Sequence, residues 1–388
     1  MSKELIGVIG AGTMGAGIAE VALEHGHEVV LHDVDEAAIE RGVARIRAGL
    51  GRRAASLGLD ADTIDDWVEA RLGGLRQAES LDVVADEADL VIEAALEDLE
   101  LKRGIFRVLD ASTRKDVILA SNTSALSIGA IAEATAEPAR VIGLHFFNPA
   151  PVMRLVEVVV GRRGEPKVVA RATALIESWG KTPVRAADSP GFIVNRVNRP
   201  FTLEALAVLE SGPAGPEEID AAIRAAGYPM GPFELMDLIG VDVNLAVATA
   251  IWEGFGRAER FRPSPLQERL IEEGRLGRKT GRGFYEYDTG VRRKDTAATD
   301  AGGQNEISDR ITLAIIAEAY RALDDGVATA ADIDLALRLG AGHPMGPFER
   351  VEHLGGPAET LRRLRALAGN GPRFEPPATL IQVASESS

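Results

Sequence analysis

The 388-residue chain contains no cysteine. That excludes disulfide cross-links, thiolate nucleophiles and cysteine-ligated metals, and no other metal ligand set is expected. Positive charge is also short. The chain has 43 Lys and Arg against 59 Asp and Glu, a net charge of −16 and a pI near 5.0. This balance argues against nucleic acid or an anionic membrane as a partner. An anionic small molecule remains compatible, because it needs only a local cationic patch. No apolar run is long enough to cross a bilayer, and "MSKELIGVIG" passes directly into a strand pattern without a signal peptide. The expectation is a cytoplasmic protein with no membrane partner.

What the chain does have is core material. Apolar residues make up 46 %, enough for two or three domains. The first half alternates strands and helices: "ELIGVIG", "HEVVLHD", a weak strand near "LGGLRQ", "ADLVIEAA", "DVILASN" and "RVIGLHFF". Such alternation predicts an open, doubly wound α/β sheet. One crossover is too long for a single helix. It holds helical patterns at about 36–56 and 62–71, read as an inserted helical arm over about 36–71. From Phe192 onwards the pattern is helix after helix until "GFYEY". The expected organisation is a Rossmann-type domain at 1–187, a helical domain at 188–288, a polar linker at 289–305, and a second helical domain at 306–388.

"GAGTMG", residues 10–15, is a G-x-G-x-x-G run that follows a strand and opens a helix. Gly10 permits a tight turn, Gly12 admits a pyrophosphate, and Gly15 lets the helix pack closely; the amides of Thr13 and Met14 begin that helix. Asp33 ends the second strand, 23 residues after Gly10. Its carboxylate suits a ribose diol and repels a 2′-phosphate, which favours NAD over NADP. The bland alternative is a glycine-rich turn without a ligand.

"LHFFNPAPVMRLVEVVV", residues 144–160, places one histidine and one carboxylate in two apolar strands. If the strands form a hairpin centred on Pro151, His145 faces Glu157. An imidazole so held has a fixed tautomer, and the carboxylate stabilises its charged form, which is how a general base near neutral pH is built. The alternative is a core histidine satisfied by a backbone carbonyl. Ser121, Asn122, Thr123 and Ser124 follow a strand end, where open α/β sheets bind ligands; capping of the next helix is the competing role. Asn195, in "PGFIVNR", offers an amide that can hold a substrate oxygen, or can simply pack between helices.

The helical half repeats itself. "GYPMGPFELMDLIG" from Gly227 returns as "GHPMGPFERVEHLG" from Gly342, and "EEIDAAIRAAG" returns as "ADIDLALRLGAG". At an offset of 114 residues Asn195 falls on Asp309, so the second copy lacks the amide.

Taken together, "SNTSALSI", "GLHFFNPAPVMRLVEVV", "DSPGFIVNR", "GYPMGPFELMDLIG" and "GRKTGRGFYEY" resemble the 3-hydroxyacyl-CoA dehydrogenases, including the bacterial 3-hydroxybutyryl-CoA type. The likeness runs from about Leu5 to Tyr287 and returns in the second repeat. The resemblance implies NAD-dependent oxidation of an L-3-hydroxyacyl-CoA to the 3-ketoacyl-CoA, and the reverse. It implies His145 as general base, Glu157 as its partner, and Ser124 and Asn195 at the reacting oxygen. It also implies Glu97, Lys102 and Lys279 near the cofactor. In the family's helical arm a serine and a lysine meet CoA; the aligned positions here are Gly49 and Ser56. Arg52 and Arg53 lie between them, with Arg45 a turn or two earlier, and guanidinium groups suit phosphates; a solvated basic helix face is the competing reading for each. Single-unit relatives pair as dimers, so the tethered second unit implies a monomer with an internal pseudo-dimer. A dehydrogenase of a free hydroxy acid, similar to gulonate 3-dehydrogenase, is one alternative. A non-catalytic NAD- or CoA-binding structural protein is the other.

Overall fold

A computed structural model describes residues 3–212, 214–288, 291–292 and 304–386. The chain divides into two units, Met1–Ser189 and Pro190–Ser388. The division falls two residues beyond the boundary expected at Ala187.

The first unit is built on one eight-stranded sheet. In chain order its elements are β1 (Leu5–Ile9), α1 (Thr13–Glu24), β2 (Glu28–His32), α2 (Glu36–Ser56), α3 (Ala61–Leu72), β3 (Leu75–Gln77), α4 (Leu81–Glu87) and β4 (Leu90–Glu93). Then come α5 (Leu99–Ser112), β5 (Ile118–Ser121), α6 (Ile128–Ala132), β6 (Val141–Phe146), β7 (Leu155–Val160), α7 (Pro166–Ser178) and β8 (Thr182–Ala187). The strand order is β3-β2-β1-β4-β5-β6-β7-β8. Strands β1 to β6 run parallel; β7 is antiparallel to β6, and β8 is parallel to β7.

The parallel strands read as continuous apolar runs because both faces are covered. Ile6, Val8, Ile18, Val21, Leu31, Ile46, Leu50, Leu144, Val158 and Ile176 belong to one buried cluster. Each such side chain contributes roughly 1.5–3 kcal/mol. Ile46 and Leu50 belong to it, so α2 of the helical arm packs into the core of the first unit. Glycine sets how closely it lies, since a Cβ at Gly42 would press on the Ala11 backbone.

The second unit contains α8 (Val194–Val197), α9 (Arg199–Ser211), α10 (Pro216–Ala225), α11 (Pro232–Ile239), α12 (Val241–Gly254) and α13 (Pro265–Glu272). A short hairpin pairs β9 (Tyr287–Asp288) with β10 (Val291–Arg292). There follow α14 (Gln304–Asp324), α15 (Ala330–Ala341), α16 (Pro347–His353), α17 (Pro357–Leu367) and α18 (Ala378–Glu386). Two parts of the expected 289–305 linker are therefore regular structure, β10 and the first two residues of α14; residues 289–290 and 293–303 lie outside the described residues.

The duplicated "PMGPFE" has a physical reason. Asp220 accepts hydrogen bonds from the N–H groups of Phe233 (2.9 Å) and Glu234 (3.0 Å) at the start of α11. Asp334 does the same for Phe348 (2.8 Å) and Glu349 (3.1 Å) at the start of α16. A Cβ at Gly231 or Gly346 would overlap these carboxyl groups. The glutamates at 234 and 349 reach back to the N–H groups of the same two glycines, closing a capping box.

The two halves also share buried ion pairs. Glu318 on α14 accepts from Arg196 (2.9 Å) and Arg260 (3.1 Å). Glu204 on α9 accepts from Arg310 (2.5 Å) and Arg373 (2.6 Å). Glu204 and Arg196 sit 114 residues before Glu318 and Arg310, so the two clusters are related by the repeat. Among the described residues no single helix is long and apolar enough to cross a membrane.

Candidate active site

The glycine loop between β1 and α1 is shaped for a dinucleotide. Gly10 has φ +96°, and a Cβ there would meet the Ala94 carbonyl at 2.6 Å. A Cβ at Gly15 would overlap the Gly10 carbonyl, whereas nothing lies within 4 Å of one at Gly12. The open side is thus the side where a phosphate must come. Gly12 precedes α1 without any side-chain cap, leaving first-turn N–H groups for an anion. Thr13 is exposed, while the Met14 side chain packs partly buried against the core. Asp33 does more than expected. Its Oδ2 accepts from the Ala11 N–H at 2.7 Å and its Oδ1 from the Asp35 N–H at 3.1 Å, so it also pins the loop. Each carboxylate oxygen keeps a lone pair for a ribose hydroxyl. These residues fit NAD.

The hairpin has the expected register: His145 is paired with Glu157 across β6 and β7. Their side chains meet, with His145 Nδ1 2.6 Å from Glu157 Oε2. Both are buried, at 4 % and 0 % exposure. The bond commits Nδ1 to the carboxylate, so Nε2 is the nitrogen that can exchange a proton. Phe147 lies against the imidazole, with ring centroids 4.5 Å apart.

At the ends of β4 and β5 lies a polar cluster that sequence reasoning saw only in part. Glu93 is fully buried and binds Lys102 Nζ (2.6 Å), Ser121 Oγ (2.6 Å) and the Ala95 N–H (2.7 Å). Glu97 accepts from Thr123 Oγ1 (2.6 Å) and from the Ser124 N–H (2.9 Å). Asn122 Oδ1 accepts from the Phe146 N–H (2.8 Å), tying this cluster to the residue after His145. Lys102 was expected near the cofactor. Its ammonium is 1 % exposed and turned to Glu93 and, at 3.5 Å, Glu97, because a buried cation needs partners at once. It holds the strand-end loop rather than presenting an open charge.

A cavity of about 910 Å³ lies in the first unit between α1, α2, the 148–154 turn and Lys181. Arg45, Gly49, Arg52, Arg53 and Ser56 all line it. Arg53 is engaged with Glu24 (2.6 Å), whereas Arg45 and Arg52 make no ion pair among the described residues. Two residues missed from the sequence also line it. Lys181 donates to the carbonyls of Ala150 (2.6 Å), Pro151 (3.1 Å) and Met153 (2.9 Å), clamping the turn between β6 and β7. Burial pushes its pKa down to about 8, against the pull of Glu24 and Glu20. Glu20, 6 % exposed, is raised to about 7 by burial, with Arg52 opposing. A lysine directly after Trp179-Gly180 was the one available hint.

In the second unit Asn195 is half-buried on α8. Lys279 is exposed and binds both oxygens of Asp242 at 2.6 Å. Asp309, the counterpart of Asn195, pairs with Arg363 at 3.1 Å.

Residues 5–189 match the family model of the 3-hydroxyacyl-CoA dehydrogenase NAD-binding domain. Residues 191–287 and 307–386 match that of the C-terminal domain. The chain belongs to the 3-hydroxyacyl-CoA dehydrogenase family. Members are oxidoreductases acting on CH–OH, and NAD is the cofactor that the matched domain binds. The 3-hydroxyadipyl-CoA dehydrogenase of Escherichia coli K12 is 49 % identical over 288 residues, 74 % of this chain and 60 % of that protein. The chain thus spans less than two thirds of that relative. The crystal structure of E. coli K12 3-hydroxybutyryl-CoA dehydrogenase superposes with a TM-score of 0.90 at 36 % identity, covering 100 % of this chain and 99 % of that one. The (S)-3-hydroxybutyryl-CoA dehydrogenase of Ralstonia eutropha gives 0.69 at 40 % identity; it is covered completely by 74 % of this chain.

Proposed function

We propose that this family member oxidises an L-3-hydroxyacyl-CoA to the 3-ketoacyl-CoA, and reduces it back, with His145 and Glu157 as the acid–base pair. The observation that carries the reading is the 2.6 Å bond from His145 Nδ1 to Glu157 in a domain that also holds a dinucleotide loop. When bound, NAD supplies the hydride acceptor. His145 takes the hydroxyl proton at Nε2, and Glu157 stabilises the imidazolium that forms. Ser124 and the Asn195 amide hold the reacting oxygen as charge gathers on it. Gly10, Gly12, Gly15, Thr13, Met14 and Asp33 hold the dinucleotide, with Glu97, Lys102 and Lys279 in supporting positions.

The CoA phosphates go to the cavity. Arg45 and Arg52 face it without ion-pair partners among the described residues, and Arg53 faces it paired with Glu24. The relatives' names differ at the acyl end: adipyl carries a second carboxyl group, butyryl does not.

The second helical repeat stands in for a partner subunit. The related clusters around Glu204 and Glu318 support this, as does a relative matched in full by three quarters of the chain. One chain then carries one active site, as a monomer in the cytoplasm. Turnover of acetoacetyl-CoA with NADH, one NADH bound per chain, and a monomer in sedimentation at micromolar concentration are expected. Absence of that turnover and of the reverse reaction would remove the enzymatic reading.

A further inference from the structure

Arg199 opens α9 and is 6 % exposed. Its Nε and Nη1 are buried without any hydrogen-bond partner. Burial pulls its pKa down to about 10, and no carboxylate opposes the shift. Its neighbour in the chain shows the contrast. Arg196, on the turn before, is also fully buried, and there Glu318 and Asp325 neutralise it at 2.9 and 2.6 Å. A buried guanidinium with two orphaned donors and no ion pair among the described residues is unfavourable, and orphaned donors in a native structure call for an explanation such as a missing anion.

The position indicates which anion. Arg199 follows Asn195 by four residues across the junction of α8 and α9, where the Asn198 N–H donates to Val194 and the Phe201 N–H to Asn198 and Asn198 keeps helical dihedrals. Four residues rise about 6 Å along a helix axis. In a six-carbon acyl chain ending in a carboxylate, C3 and the carboxyl carbon are separated by three C–C bonds, roughly 4 Å. A substrate whose 3-oxygen meets Asn195 and whose acyl chain runs along the start of α9 brings such a carboxylate within reach of the Arg199 side chain. The guanidinium fork matches a carboxylate in two parallel hydrogen bonds.

We propose that Arg199 is a specificity-determining residue that pairs with a carboxylate at the far end of the acyl chain, so that the substrate class is a 3-hydroxyacyl-CoA ending in CO₂⁻. This rests on the dehydrogenase reading above. The test compares two CoA thioesters of equal chain length, 3-hydroxyadipyl-CoA and 3-hydroxyhexanoyl-CoA, in wild type, Arg199→Met and Arg199→Lys. Wild type should favour the adipyl thioester in kcat/KM by roughly 10²–10⁴-fold. Arg199→Met should erase that preference while oxidation of the hexanoyl thioester stays within a few-fold. Arg199→Lys should retain part of it. Equal or reversed preference in wild type overturns the proposal, whatever the variants do. So does an Arg199→Met enzyme that loses both activities in proportion while remaining folded. A wild type that oxidises neither thioester refutes the dehydrogenase reading instead.

Discussion

The carboxyl group of Glu20 occupies the volume that a side chain at position 49 would need, and Gly49 is what admits it. The contact brings an acid into a cavity lined with arginines and lifts its pKa from 4.5 to about 7. Its folded pKa lies above the unfolded one, so the native state holds the proton more tightly. The associated stability is fully present below about pH 4.5 and is lost as pH rises to about 7. Glu20→Gln removes this titration. The Tm of the variant should match wild type near pH 4.5 and exceed it at pH 8, by the equivalent of about 1–3 kcal/mol. Calorimetry across that range checks it, and parallel curves would show that Glu20 titrates normally.

His145→Gln is expected to lower kcat by roughly 10²–10⁴-fold with NADH affinity kept, the size of a general-base contribution. Glu157→Gln should lower kcat less and displace the pH profile, since Nδ1 loses its charged partner. Near-normal turnover by His145→Gln would remove the assignment.

Wild type should prefer NADH to NADPH. Asp33→Ala combined with Val34→Arg, at a site 97 % exposed, should narrow the kcat/KM gap by roughly tenfold or more. Asp33→Ala should also lower Tm, because the Ala11 N–H loses its 2.7 Å acceptor. A wild-type enzyme indifferent to the two cofactors contradicts the role given to Asp33.

Ending the chain after Asp288 removes Arg310 and Arg373 from Glu204, and Glu318 from Arg196 and Arg260. Stripping partners from buried charges costs about 3–5 kcal/mol per site. The truncated protein should therefore dimerise or aggregate in sedimentation experiments. A soluble, fully active monomer would show that the first helical unit is complete on its own.

Local signals in the sequence carried much of this architecture. The glycine loop was legible because three glycines at fixed spacing have separate steric tasks. The His145–Glu157 pairing was legible because a short Pro-rich turn leaves few hairpin registers. The duplication was visible as repeated letters, and its cause, Asp220 and Asp334 seated against Gly231 and Gly346, emerges only in three dimensions. Interactions between distant charges stayed hidden. Nothing local says that Lys102 turns to Glu93, that Lys181 clamps a turn about 30 residues upstream, or that Arg196 meets Glu318 122 residues later. Such charges read as ordinary surface until folding decides which are buried.

Tyr228 and His343 hold the same place in the two repeats, and their rings pack edge to face with centroids 5.0 Å apart. Gly227 abuts Pro344, and Gly342 abuts Pro229, on either side. In an isologous assembly of identical chains, a residue on the two-fold axis must face its own copy. Here a phenol faces an imidazole that burial keeps neutral, its pKa pulled down to about 3 and its Nε2 on Asn198. A seam formed within one polypeptide is under no such requirement of self-complementarity. The two sides need not match, and one carries Asp309 where the other carries Asn195.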